Sequence, residues 1–181
     1  MMTSRVSSTL VVSMALFVSQ SQQQGVLEVR INSKDDFCMV VPKDPFTNIG
    51  ASEYPGGEAV WCQQPQTFPG AGTFNGPFWT NVAVDRPKSG VIQMTGCINV
   101  GSCDRLTAQD EGGQYDSNGG DGGRGNPAGS FCEQYPVYVE LIEPSANRAC
   151  IRCCRNATDC DVSKDTSGCP TVIPGNYFNC G

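Results

Sequence analysis

The apolar positions of this chain fall in short runs, each rich in β-branched and aromatic residues and bounded by Gly, Pro, Asn or Asp. The runs are Val26–Ile31, Phe37–Val41, Ala59–Cys62, Trp79–Val84, Val91–Ile98, Val137–Ile142 and Ala149–Cys153. That grammar predicts strands. From Phe78 to Val84 one parity gathers Phe78, Val82 and Val84, with Thr80 as the exception, which suits a sheet with one face on a core. No apolar stripe persists at helical spacing for three turns, and Gly or Pro interrupts almost every long window. The expected fold is all-β, a small disulfide-rich barrel or sandwich with long Gly/Asp-rich loops and little helix.

The N-terminus carries a different pattern. Arg5 is followed by the apolar block Leu10–Val18 and then by small and polar residues, the layout of a secretory signal peptide. The block is about half the length of a bilayer-spanning helix, which needs roughly 20 apolar residues, and no second such stretch follows. Ser19 and Ser21 occupy the small-residue positions of a cleavage site. The expectation is therefore a signal peptide over residues 1–21, no transmembrane segment, and one secreted domain over residues 22–181.

Cysteine usage agrees with export. Cys38, Cys62, Cys97, Cys103, Cys132, Cys150, Cys153, Cys154, Cys160, Cys169 and Cys180 all follow the signal segment, and together they are read as a structural disulfide framework. An odd count of 11 leaves one thiol over. Adjacent Cys153 and Cys154 are expected to join different partners, because bridging neighbours strains the peptide between them. Cys150-Ile151-Arg152-Cys153 has redox-motif spacing but lacks the strand and helix of a thioredoxin unit, so structural bridging is preferred. The sequon Asn156-Ala157-Thr158 marks Asn156 as an N-glycosylation site on a surface loop.

The formal charge of −6 disfavours polyanions, so nucleic acid is excluded as the ligand. Histidine is absent, which removes the usual general base and the usual zinc ligand. No cofactor or metal is expected. The block from Asp110 to Pro127 is too polar for a core and reads as a long ordered loop inside one domain. Its calcium-like Asp/Asn/Gly spacing fails the EF-hand pattern, with Asp121 where Gly is needed and Pro127 where the bidentate Glu belongs. Glycines permit close approach, Asp and Asn bond hydroxyls, and aromatic faces stack on sugar C–H groups. The candidate glycan-binding set is accordingly Tyr115, Asp116, Asn118 and Asp121 of this loop, with Trp61 and Trp79 as neighbours.

Several blocks resemble a family of fungal secreted cysteine-rich proteins, the macrophage-activating glycoprotein and immunoreactive mannoprotein types. They are Asp35-Asp36-Phe37-Cys38, Ile49-Gly50 followed by Gly57-Glu58-Ala59-Val60-Trp61-Cys62, Gln93-Met94-Thr95-Gly96, Gly112-Gly113-Gln114-Tyr115-Asp116, Gly125-Asn126-Pro127-Ala128-Gly129, and the tail from Ala149-Cys150 to Pro174-Gly175-Asn176-Tyr177. The resemblance implies a fungal source, secretion and association with the cell wall, and brings no catalytic residue with it. This sequence lacks the long Ser/Thr-rich, lipid-anchored extension of the mannoprotein types, so free secretion is the expectation.

Two function classes follow. One is a non-enzymatic extracellular or wall-associated binding protein, whose partner is wall polysaccharide or another extracellular glycan. The other is a small polysaccharide-active protein, expansin-like or dependent on a carboxylate pair. Its candidate acids are Asp35, Asp36, Glu53, Glu58, Asp85, Asp104, Glu133, Glu140 and Glu143.

Overall fold

The computed structural model describes residues 27–164 and 166–180. The segment read as a signal peptide, with its cleavage site, lies outside the described residues. One five-stranded sheet contains β1 (Glu28–Ser33), β2 (Asp36–Pro42), β3 (Glu58–Cys62), β4 (Gly72–Thr73) and β8 (Phe131–Cys132). Its order is β4-β3-β2-β1-β8, with β4 and β8 parallel to their neighbours. The second five-stranded sheet contains β5 (Trp79–Asp85), β6 (Val91–Ile98), β7 (Gly113–Asp116), β9 (Val137–Glu143) and β10 (Arg148–Cys154). It is antiparallel throughout, in the order β5-β6-β10-β9-β7. Neither sheet closes on itself, so the fold is a sandwich and not a barrel. Among the described residues the α-helices are α1 (Ile49–Ser52) and α2 (Cys169–Val172), each a single turn.

Each of the seven expected runs is a strand. The expected parity of β5 is not observed, because a register shift between Trp79 and Asn81 inserts a bulge into this edge strand. Phe78 and Trp79 are both buried, Val82 is partly buried, and Val84 faces solvent. The pattern missed the two-residue strands β4 and β8 and the longer β7. β7 lies inside the polar block read as a loop and forms by pairing with β9 over Gly113↔Ile142 to Asp116↔Val139.

The second sheet is a middle layer. On its inner face Tyr138 and Ile142 of β9 and Ala149, Ile151 and Cys153 of β10 meet the first sheet in the main core. On its outer face Val137, Val139, Leu141, Cys150 and Cys154 meet Cys160, Cys169, Val172 and Ile173 of the C-terminal segment. That segment also accepts hydrogen bonds at Pro174 O from Gln93 Nε2 and at Asn176 O from Thr95 Oγ1, both at 3.0 Å. Because both faces of β9 are covered, every residue of this strand is buried.

Five disulfides pin the layers: Cys38–Cys62, Cys97–Cys180, Cys132–Cys153, Cys150–Cys169 and Cys154–Cys160. Alternation along β10 explains the pairing, since residues one or three apart in a strand point to opposite faces. Cys153 therefore bonds inward, while Cys150 and Cys154 bond outward, and the Cys150/Cys153 spacing produces no pair. Cys103, counted above with the framework, is the free thiol and is buried.

Candidate functional site

The structure does not assemble the six candidate glycan contacts into one surface. Tyr115 is wholly buried, and its hydroxyl lies 2.6 Å from Ser52 Oγ. Ser52 Oγ itself donates to Ile49 O, so Tyr115 is the donor of this pair. Trp79 is buried in an aromatic cluster with Phe37 and Phe78, at ring separations of 5.9 and 5.5 Å. Trp61 is half-buried, with the Arg105 guanidinium 5.2 Å over its ring. A Cβ at Gly72 would lie 2.4 Å from the same indole, so glycine at that position lets the backbone pass against the ring. Tyr115 and Trp79 are too buried to stack on a sugar ring, and Trp61 has Arg105 and the Gly72 backbone against its indole.

Asp116 is spent locally. Its Oδ1 accepts the backbone N–H of Asn118 at 2.9 Å and that of Gly119, and its Oδ2 accepts from Gln114 Nε2 at 3.4 Å. Its main chain pairs reciprocally with Asn126 at 2.8 Å, which closes the loop at its base. These bonds make an Asx-type turn in which the carboxylate organises backbone instead of facing a ligand. Asn118 is exposed beyond this turn, and Asp121 begins a 3₁₀ turn over Asp121–Gly123. The loop leaves β7 at one edge of the second sheet, whereas Trp79 lies on β5 at the other edge. Four strand spacings, about 19 Å, separate those edges.

What the fold does build beside β7 is an open groove of about 660 Å³, within the size range of ligand clefts. The start of β7, the end of β9 and residues 166–171 form its walls. Glu53 and Glu111 are exposed carboxylates on it, and Ser167 and Thr171 contribute hydroxyls that make no hydrogen bond within the described residues. Glu143 is buried at the base, where its carboxylate accepts from Arg148 Nε and, at 3.2 Å, from the Cys169 backbone N–H. This pair fixes α2 and leaves the Arg148 guanidinium on the groove wall. Gln114, also on the wall, donates to Val162 O at 3.0 Å, and its Oε1 has no partner. Such a surface offers donors and acceptors for a hydroxyl-rich ligand.

A second hollow of about 520 Å³ lies against β5, with Lys34, Asp35, Gln64, Thr80 and Asn81 among its walls. Asn156, the sequon residue, is exposed between Cys154 and Cys160, as a glycan acceptor must be.

Two acids escaped notice as members of the core. Glu140 is wholly buried on the inner face of β9, and its Oε2 accepts the Val40 backbone N–H of β2 at 3.1 Å. Its Oε1 has no partner. Burial drives its carboxyl well above the ordinary carboxylate range. Glu58, at the start of β3, is 4% exposed with Oε2 unpaired, and burial pushes its carboxyl up to about 7. The sequence signal was available for Glu140 alone: strict alternation places it between Tyr138 and Ile142 on the core side of β9.

Comparison of the chain with protein-family models, with curated proteins and with solved structures finds no match. Among the described residues no helix is long and apolar enough to cross a membrane.

Proposed function

We propose that this chain is an exported fungal protein of the extracellular space or cell wall, with a non-enzymatic binding role, and that wall glycan is its ligand. The sequence resemblance to the macrophage-activating glycoprotein and immunoreactive mannoprotein types supports the location. Five disulfides in a single sandwich are what an oxidising export route produces. The observation that carries the binding role is the groove, where the Ser167 and Thr171 hydroxyls stand together with the exposed carboxylates of Glu53 and Glu111. Its occupant is a chain of sugar hydroxyls, in place of the Gly/Asp-rich loop and tryptophan surface that the sequence suggested.

Retention of the full secreted protein on insoluble chitin and β-glucan tests the reading. The parent is expected to be retained, and the double change Glu53→Gln with Glu111→Gln is expected to weaken retention at least about fivefold, a loss of about 1 kcal/mol. No retention of the parent removes wall glycan as the ligand. Equal retention of parent and variant moves the site away from the groove.

A polysaccharide-active protein is the second reading, and one observation favours it. An acid held near 7, as Glu58 is, matches the proton donor of a glycosidase. Glu58 lines neither of the two hollows described, however. Release of reducing ends from glucan, abolished by Glu58→Gln in a folded protein, would establish this reading over the first.

A further inference from the structure

Between the two sheets lies a polar cluster that the binding groove does not use. Glu140 reaches across from β9 to the backbone of β2, where the Val40 N–H donates to its carboxyl oxygen at 3.1 Å. The β1–β2 ladder runs from Arg30↔Cys38 to Ser33↔Asp36, and Val40 lies beyond it. The acid therefore occupies the gap where β1 has left β2. The buried phenols of Tyr115 and Tyr138 share this interior, the latter 3.0 Å from Ser130 Oγ. Ser130 Oγ is already committed as a donor to Pro127 O, so Tyr138, like Tyr115, is a neutral donor.

The charges facing this cluster all have one sign. Glu58 and Glu140 both act on Tyr115 and Tyr138, Glu53 acts on Tyr115 and Glu58, and Asp116 acts on Tyr138. No lysine or arginine contributes to the electrostatics of Glu140, Glu58, Tyr115 or Tyr138 among the described residues. An ionised carboxylate in such a site loses its hydration and gains one backbone N–H, which does not replace it. A neutral carboxylic acid keeps the same acceptor oxygen at far lower desolvation cost.

We propose that Glu140 is a proton lock: as a neutral acid it holds β9 against β2, and loss of its proton to solvent, with that of the buried Glu58 at the start of β2's partner β3, loosens the sandwich. The protein is thereby built for an acidic medium and is weakened, without any change of sequence or ligand, as its surroundings turn neutral or alkaline.

The direction follows from linkage. In the unfolded chain both carboxyls titrate near an ordinary value of about 4.3, whereas in the fold they retain the proton to higher pH. Stability is therefore greatest below that value and declines as pH rises towards the folded values, about 7 for Glu58 and well above the ordinary carboxylate range for Glu140. Each fully engaged group raises the unfolding equilibrium constant up to tenfold per pH unit. Both begin to act as pH rises past the unfolded value, and the contribution of Glu58 is complete once pH has passed about 7.

The test is urea unfolding of the full chain, disulfides intact, from pH 4.5 to 8.5, for the parent and for Glu140→Gln. The amide keeps an acceptor for Val40 N–H and cannot lose a proton. The parent midpoint is expected to fall steadily with pH, and the variant to lose up to tenfold per pH unit of that dependence. A parent whose stability is flat or rises over this range overturns the proposal, as does a variant with the parent slope. Should Glu140→Gln not fold, infrared spectroscopy of the native parent at about pH 5.5, where ordinary carboxyls are ionised, decides. A carbonyl band of a protonated carboxyl, lost on unfolding, supports the lock, and its absence overturns it.

Discussion

Cys132 on β8 and Cys153 on β10 form the disulfide that joins the two sheets, while Cys154, the next residue, turns outward to Cys160. One strand end thus fastens the layer on each side of it. The alternation of side chains along β10 makes this possible, and it also explains why the bonds differ in what they restrain. Cys132–Cys153 joins sheets through the core, Cys97–Cys180 holds the tail on β6, and Cys154–Cys160 closes a short loop.

The disulfides should differ in worth by the length of chain each closes. Cys97–Cys180 spans 83 residues and Cys154–Cys160 only 6. In the chain-entropy view, replacing the first pair with Ala should cost about 4.5 kcal/mol and the second about 2.4 kcal/mol. Urea unfolding of the two double variants checks the ranking, and an equal loss would contradict it.

The free cysteine should be silent in the native protein. Burial pushes the Cys103 thiol up to about 12, so almost no thiolate exists at neutral pH. Titration with a thiol reagent at pH 8 should find no fast-reacting group in the folded chain and one in denaturant without reductant. More than one in denaturant would mean that the disulfide set is incomplete.

Asp116 and Asn118 should respond oppositely to truncation. Asp116→Ala leaves the N–H groups of Asn118 and Gly119 without their acceptor, at an expected cost of about 1–3 kcal/mol, and should speed amide exchange through residues 117–125. Asn118→Ala removes an exposed side chain and should stay within about 0.5 kcal/mol of the parent. Thermal unfolding and hydrogen exchange on both variants provide the comparison.

Two glycines should likewise part ways. A Cβ at Gly96 would lie 2.1 Å from Asn81 O, so Gly96→Ala must push β5 off β6 and should cost about 2–3 kcal/mol or more. At Gly50, in α1, nothing lies within 4 Å and the backbone is already helical. Gly50→Ala should stabilise by about 0.5–1 kcal/mol, as read from the unfolding midpoint.

By itself the sequence determined the all-β character and the place of every long strand, because β-branched runs bounded by turn residues depend on local chemistry. It also determined that Cys153 and Cys154 take different partners, which the covalent geometry of neighbours requires. It could not determine β7, because Gly113–Asp116 has little strand propensity of its own and is extended only by the ladder it makes with β9. Nor could it tell a displayed aromatic from a buried one: Tyr115 and Trp79 look the same along the chain whether a second layer covers them or not. The same holds for the acids. Glu53 and Glu140 are identical side chains, and only the packing of one sheet over another leaves the first in water on a groove and encloses the second in the core, where burial raises its carboxyl above the ordinary range.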